Sequence, residues 1–88
     1  MKAVAVRVSG SVQGVYYRAS ARHEGERLGL RGWVSNVSGG VALHLQGDAA
    51  AVDAMLGWCR VGPPAARVSR VEVGDAEPDE SLHGFEVR

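Results

Sequence analysis

The order in which the apolar residues change their spacing is the feature that most limits what this chain can fold into. Residues Lys2 to Ser9 alternate, and a period of two with β-branched residues is typical of a strand packed on one face. The apolar residues on one side of this segment are Val4, Val6 and Val8. From about Tyr17 to Leu28 the spacing becomes helical. The inner stripe of that helix is Tyr17, Ala21, Gly25 and Leu28.

The remaining segments repeat these two periods. Strands are predicted for Arg31 to Val37, Val41 to Gln46 and Arg67 to Val73. A second helix is predicted between a cap at Gly47-Asp48 and the breaker Gly62-Pro63-Pro64. Its inner stripe is Ala49, Val52, Leu56 and Cys59. Phe85 to Arg88 could add a short final strand.

This order of segments, βαββαβ, predicts an α+β fold of the ferredoxin-like kind, formed by one domain over residues 1–88. Two helices would cover one face of a mostly antiparallel four-stranded sheet, with a short fifth strand if the last segment pairs. Right-handed crossovers place strands one and two parallel, with strand three between them. The ends of strands one and two, near Gly10 and Asn36, and the start of the first helix should then share one edge.

The charge balance and the cysteine count exclude several classes of function. Ten acidic and ten basic residues leave no basic excess, so neither nucleic acid nor an anionic membrane surface is an expected partner. The apolar stretches are short and interrupted by charges, so no membrane span or leader is expected. Cys59 is the single cysteine, so no internal disulfide can form and the cytoplasm is the expected compartment. We also expect a monomer.

The segment from Gly10 to Val15, between the first strand and the first helix, has the composition of an anion-binding loop. Its glycines allow backbone N–H groups to turn toward a ligand, and the helix start adds partial positive charge. Arg18 can add a bidentate guanidinium to the same anion. The loop lacks the Gly-Lys-Ser/Thr ending of a nucleotide P-loop, so one phosphoryl group is the expected ligand. Seen alone, such a segment is most often only a turn.

The predicted topology brings Asn36, at the end of the second strand, to the same edge of the sheet as this loop. Asparagine is poorly suited to strands, and here it is either a turn cap before Ser38-Gly39 or a site residue.

Two motifs in the chain resemble the signatures of the acylphosphatases. The first, Gly-x-Val-Gln-Gly-Val-x-x-Arg, covers Gly10 to Arg18, and the second, Gly-Trp-Val-x-Asn, covers Gly32 to Asn36. Further matches are Leu28-Gly29-Leu30, Gly62-Pro63 with Ala66 and Val68, and Phe85. The similarity extends over essentially the whole chain. Two departures, Gly39-Gly40 in place of Asp-Gly and Gly25 in place of Ala, touch neither Arg18 nor Asn36.

The resemblance implies the ferredoxin-like fold and hydrolysis of acyl phosphates with no cofactor and no metal. It assigns phosphate binding to Arg18 and the loop amides, and it assigns positioning of the attacking water to Asn36. The loop residues concerned are Ser11, Val12, Gln13, Gly14 and Val15. Inorganic phosphate would then be a product and an inhibitor.

Other interpretations concern both the site and the function. Cys59 lacks the arginine of a Cys-x5-Arg phosphatase loop, because position 65 is Ala65, and it lies on the inner stripe of its helix. The three histidines share no metal-ligand spacing.

Ferredoxin-like folds also serve as anion- or ligand-binding regulatory modules without catalysis, or as modules within a larger carbamoyl-transfer system. An assay with a generic acyl phosphate separates these alternatives.

Overall fold

Five strands form one mixed sheet in the computed structural model, which describes residues 1–88. The strands are β1 (Lys2–Ser11), β2 (Arg31–Val37), β3 (Gly40–Gly47), β4 (Arg67–Asp75) and β5 (Phe85–Val87). The helices are α1 (Tyr17–Arg27) and α2 (Ala49–Cys59). The strand order is β4-β1-β3-β2-β5, antiparallel except for the parallel pair of β2 with β5. The predicted ferredoxin-like arrangement is therefore confirmed, with the short final strand present as β5.

The register of β3 with its two neighbours brings the ends of β1 and β2 together. Val41 of β3 pairs with Val8 of β1 on one side and with Asn36 of β2 on the other. Because both neighbours run antiparallel to β3, they run parallel to each other and end at the same edge. This is the edge at which the sequence predicts a site.

The hydrophobic core lies between the sheet and the two helices, where sixteen buried residues form one cluster. The predicted inner side of β1 is confirmed, since Val4, Val6 and Val8 are all buried. Gly25 allows α1 to approach β5 closely, because a Cβ at this position would lie only 2.6 Å from Cε2 of Phe85. Neither helix has the length and apolar character needed to cross a lipid bilayer.

The inner face of α2 differs from its predicted stripe. Val52, Met55 and Cys59 are fully buried, whereas Ala49 is exposed and Leu56 is only half-buried. With about 100° per residue, the face centres on Met55, and Ala49 and Leu56 fall on its flank. Asp48 does occupy the N-cap position, but its side chain makes no capping hydrogen bond.

Strand β1 is longer than predicted, because it continues through the glycine that was expected to end it. A register shift against β4 lies between Ser9 and Gly10, and Ser11 still pairs with Arg67. Gly10 has a φ of 131°, which a side chain would disfavour, and a bulge at this point lets the ladder continue. Strand β4 likewise extends two residues past Val73, to Asp75.

Candidate active site

The loop between β1 and α1, residues 12–16, presents backbone N–H groups that have no partner within the protein. None of these residues donates a backbone hydrogen bond to a carbonyl or to a side chain. Gly14 and Tyr16 have left-handed backbones, with φ values of 71° and 64°. Left-handed residues in such a loop turn neighbouring N–H groups toward one side, which makes a concavity suited to an anion. Of the predicted phosphate-binding residues, Val12 to Val15 therefore have free donors, whereas Ser11 belongs to β1.

The side chain of Gln13 fastens this loop to the β2–β3 hairpin. Its Nε2 donates to the carbonyl oxygen of Val37 at 2.6 Å and to that of Gly40 at 2.8 Å. Val37 directly follows Asn36 in β2, so one side chain links the loop to the end of that strand. The sequence pointed to Gln13 only for its backbone N–H. Its side-chain role depends on a contact across 24 or more residues, which no local pattern contains.

The start of α1 is fixed by Tyr17, which is a core residue. The ring is fully buried and packs at a tilt against Trp58, with 5.1 Å between centroids. The Oη of Tyr17 donates to the carbonyl oxygen of Cys59 at 2.9 Å, which ties the start of α1 to the end of α2. Arg18 is the next residue, so the buried Tyr17 determines where the backbone of Arg18 lies.

Arg18 and the loop border one cavity of about 340 Å³. Val12 and Gly14 contribute from the loop, and Val87 contributes from β5. No acidic residue lies in the first turn of α1 or lines this cavity. The positive end of the helix dipole and the Arg18 guanidinium therefore act together without a competing acidic side chain.

Arg18 is connected to the middle of β2 through Arg88, the last residue of the sequence. The Nη1 of Arg18 donates to the backbone oxygen of Arg88 at 3.3 Å, and the N–H of Arg88 donates to the carbonyl oxygen of Val34 at 2.8 Å. Asn36 lies two residues beyond Val34, so both side chains leave the sheet on the face that the helices cover. Asn36 is exposed, its side-chain amide forms no hydrogen bond, and it does not line the cavity itself. Asn36 is thus on the same face of β2 as Val34, whose carbonyl oxygen is linked through Arg88 to Arg18.

Cys59 does not meet the requirements of a nucleophile. It is fully buried in the core, and burial raises the pKa of its thiol to about 11. At neutral pH the reactive thiolate is therefore scarce, and the thiol does not line the cavity beside Arg18. No three or more His, Cys, Asp or Glu side chains are grouped as metal ligands.

Comparison with known proteins agrees with this geometry. A protein-family model described as Acylphosphatase matches residues 4–87. A protein named acylphosphatase from Anaeromyxobacter dehalogenans is 52% identical over 82 residues, which span 92% of this chain and 88% of that relative. A solved acylphosphatase structure from Coxiella burnetii superposes with a TM-score of 0.91 at 40% identity, covering 99% of this chain and 92% of the other.

The acylphosphatase crystal structure from Bacillus subtilis superposes with a TM-score of 0.94 at 28% identity, and it covers 100% of this chain and 99% of the other. The fold therefore persists where most of the residues differ. A family model that spans nearly the whole sequence, together with a relative more than half identical, shows that the chain belongs to the acylphosphatase family.

Proposed function

We propose that the protein hydrolyses the carboxyl–phosphate bond of acyl phosphates to a carboxylate and inorganic phosphate, without a metal ion. The observation that carries this proposal is the run of unpaired N–H groups in residues 12–16 beside Arg18. These groups supply the positive potential that a metal ion supplies in many other phosphoryl-transfer sites.

The phosphoryl group is held at its nonbridging oxygens by the loop and by Arg18. The N–H groups of Val12 to Val15 donate to these oxygens, and the guanidinium provides a fork of two further donors. Arg18 has one long hydrogen bond, to Arg88, that an anion would have to replace. Phosphoryl transfer by a loose transition state needs positioning and charge stabilisation more than covalent catalysis, and a carboxylate leaves readily without an acid.

Asn36 positions the attacking water. Its side-chain amide is free and exposed at the end of β2, where it can accept from and donate to a water molecule in line with the leaving carboxylate. The water oxygen forms a bond to phosphorus while the bond from phosphorus to the acyl oxygen breaks. A phosphoryl oxygen takes the proton of the water, since no Asp, Glu, His, Lys or Cys side chain that could act as a general base lines the cavity.

The remaining features of the proposal concern partners and location. Inorganic phosphate binds the same loop as product and inhibitor, because it offers the same oxygens. The balanced charge gives no attraction to nucleic acid, and we expect a cytoplasmic monomer. The single cysteine is buried and therefore offers no exposed thiol for crosslinking two copies.

The test is hydrolysis of acetyl phosphate in the presence of a strong chelator, with p-nitrophenyl phosphate as a control monoester. We expect full activity on the acyl phosphate, no gain from added magnesium or zinc, and little turnover of the monoester. Loss of activity on chelation that returns with metal would contradict the mechanism. Binding of phosphate without any hydrolysis would instead indicate a non-catalytic anion-binding module.

A further inference from the structure

The charged side chains are divided unequally between the two ends of the sheet, although acidic and basic residues balance over the whole chain. The register of the strands defines these ends. Ser11 of β1 pairs with Arg67 at the start of β4, and this end also carries the loop of residues 12–16. Lys2 pairs with Gly47 at the opposite end. The first is termed the loop end and the second the far end.

The loop end contains five basic residues and no acidic one. It comprises the segments in which β1, β2, β5 and α2 end and α1, β3 and β4 begin, namely residues 9–20, 35–42, 57–71 and 87–88. Its basic residues are Arg18, Arg60, Arg67, Arg70 and Arg88. The cavity beside Arg18 therefore opens in a part of the surface where all the charged side chains are positive.

The far end carries the opposite charge. Its segments, residues 1–3, 26–32, 45–54 and 74–84, contain seven acidic and three basic residues. The acidic residues are Glu26, Asp48, Asp53, Asp75, Glu77, Asp79 and Glu80. A chain with no net charge thus has a strong charge asymmetry along its strands, and the positive end is the one with the proposed site.

Three arginines of the loop end have no part in the mechanism described above, and we call Arg60, Arg67 and Arg70 the arginine rim. All three are exposed. Arg60 directly follows Cys59, whose carbonyl oxygen accepts from Oη of Tyr17 at 2.9 Å, so its backbone lies beside the start of α1. Arg67 pairs with Ser11, the last residue before the loop. The rim therefore borders the loop and the start of α1.

The charges of the rim are not neutralised within the protein. Arg60 and Arg67 form no ion pair, and Arg70 has only Glu72, at 3.7 Å between two exposed side chains. An exposed pair at this distance is weak and leaves most of the field in place. No packing or pairing within the fold therefore explains why these cations are grouped at the loop end.

We propose that the arginine rim attracts anionic substrate to the cavity beside Arg18 through its electrostatic field, without contacting the bound substrate. The inference rests on the proposed acyl phosphate hydrolysis, whose substrate carries up to about two negative charges at neutral pH. Charges of one sign around a cleft raise the local concentration and the association rate of an oppositely charged ligand by about ten-fold or more.

The length of the strands explains why the acidic far end does not cancel this attraction. Strand β1 has 10 residues, and at about 3.3 Å each they separate the two ends by about 30 Å. The screening length at physiological ionic strength is only about 8 Å. An anion that approaches the loop end is therefore within the range of the rim but beyond the range of the carboxylates at the far end.

The experiment measures kcat and KM for acetyl phosphate at ionic strengths from about 0.02 M to about 0.5 M, a range over which screening becomes strong. The rim variant is Arg60→Gln with Arg67→Gln. A second variant, Arg60→Lys with Arg67→Lys, keeps both charges but removes the planar forks. The matched control, Lys2→Gln with Arg27→Gln, removes two exposed charges from the far end instead.

The rim variant should lower kcat/KM about five-fold at low ionic strength through a higher KM, with kcat unchanged, and should converge with the wild type at high ionic strength. The lysine variant and the far-end control should follow the wild type throughout. A loss that persists at high ionic strength, or one that the lysine variant shares, would indicate direct contact and overturn the inference. No loss at low ionic strength, or an equal loss in the far-end control, would overturn it as well.

Failure of the wild type to hydrolyse acetyl phosphate would contradict the proposed function but not the attraction of anions. The rim is then tested by the dissociation constant of inorganic phosphate, measured by calorimetry with the same variants over the same ionic strengths. Weaker binding by the rim variant at low ionic strength alone would support the inference, and equal binding by all variants would overturn it. Absence of phosphate binding by the wild type would overturn both proposals.

Discussion

The two helices have the same length and both begin just beyond a strand, yet only one of them starts in a place suited to an anion. Each has 11 residues. Residues 12–16 separate β1 from α1, whereas Asp48 alone separates β3 from α2. The short connection puts a carboxylate at the positive end of α2, and no cavity opens there. The longer one leaves N–H groups unpaired beside Arg18.

This difference shows that a helix start is not a binding site by itself. Both helices have the same dipole, and neither has a side-chain cap. The start of α1 differs from that of α2 in three features. It has a loop long enough to turn its N–H donors toward a cavity, an arginine in the first turn, and a clamp, the Gln13 side chain that ties the loop to the β2–β3 hairpin. Each of these features can be removed singly.

Removing the arginine should have the largest effect. Arg18→Ala should lower kcat/KM by about three orders of magnitude or more, because a charged donor to the transferring phosphoryl group is lost. Inhibition by phosphate should weaken as well. The free energy of unfolding should change by less than about 1 kcal/mol, since Arg18 makes one long exposed hydrogen bond. Steady-state kinetics with phosphate titration, together with urea denaturation, measure all three.

The matched variants for this test are Arg18→Lys and Asp48→Ala. Lysine should also be poor, because a single ammonium cannot replace a planar fork of donors. Asp48→Ala changes the start of the other helix and should leave the kinetics unchanged. Wild-type inhibition by phosphate in Arg18→Ala would contradict the phosphate-binding role and, with it, the contrast between the two helix starts.

The sequence predicted the sheet, and the edge at which β1 and β2 end, better than it predicted the contacts of individual side chains, for a physical reason. Alternation in β1 and the βαββαβ order determine the sheet, and the sheet brings Asn36 to the edge at which β1 ends. The Gln13 side-chain bonds, the Arg88 link and the backbone of Tyr16 depend on long-range packing and could not be predicted from periodicity. The inner face of α2 was missed by part of a turn, because two adjacent apolar residues, Met55 and Leu56, allow more than one stripe.

Removing the side-chain amide of Asn36, at the end of β2, should have the next largest effect. It distinguishes a residue that acts in the chemical step from one that binds phosphate, such as Arg18. Asn36→Ala should lower kcat by about two orders of magnitude, as loss of a group that acts in the transition state does. The KM and the inhibition by phosphate should move much less than in Arg18→Ala, because the loop and Arg18 remain. Michaelis curves for both variants, with circular dichroism to check folding, provide the measurement.

Asn36→Asp tests the same role at nearly constant shape. The carboxylate accepts from water but cannot donate, and it repels the phosphoryl group, so we expect this variant to be inactive too. A sharp rise in KM at unchanged kcat in Asn36→Ala would make Asn36 a binding residue and would leave the water to be positioned by another group.

Removing the clamp formed by the Gln13 side chain should have the smallest effect. This change tests whether the loop before α1 must be held in a fixed shape to bind phosphate. Gln13→Ala deletes two hydrogen bonds to the β2–β3 hairpin, at 2.6 and 2.8 Å, while every loop N–H and Arg18 remain. The lost bonds should cost about 1–2 kcal/mol of stability. A loop that is no longer held should bind phosphate more weakly, and kcat/KM should fall about ten-fold, since displacements near 1 Å at a site are costly.

The control for this clamp is Gln13→Glu, which keeps the length of the side chain but replaces the donor by a carboxylate. This carboxylate would face two carbonyl oxygens and the phosphate loop, so Glu should bind phosphate more weakly than Ala does. The measurement is the inhibition constant of phosphate for both variants at a temperature well below their melting points. If Gln13→Ala is destabilised but binds phosphate as the wild type does, the loop holds its shape without the hairpin. The difference between the two helix starts would then depend on loop length and Arg18 alone.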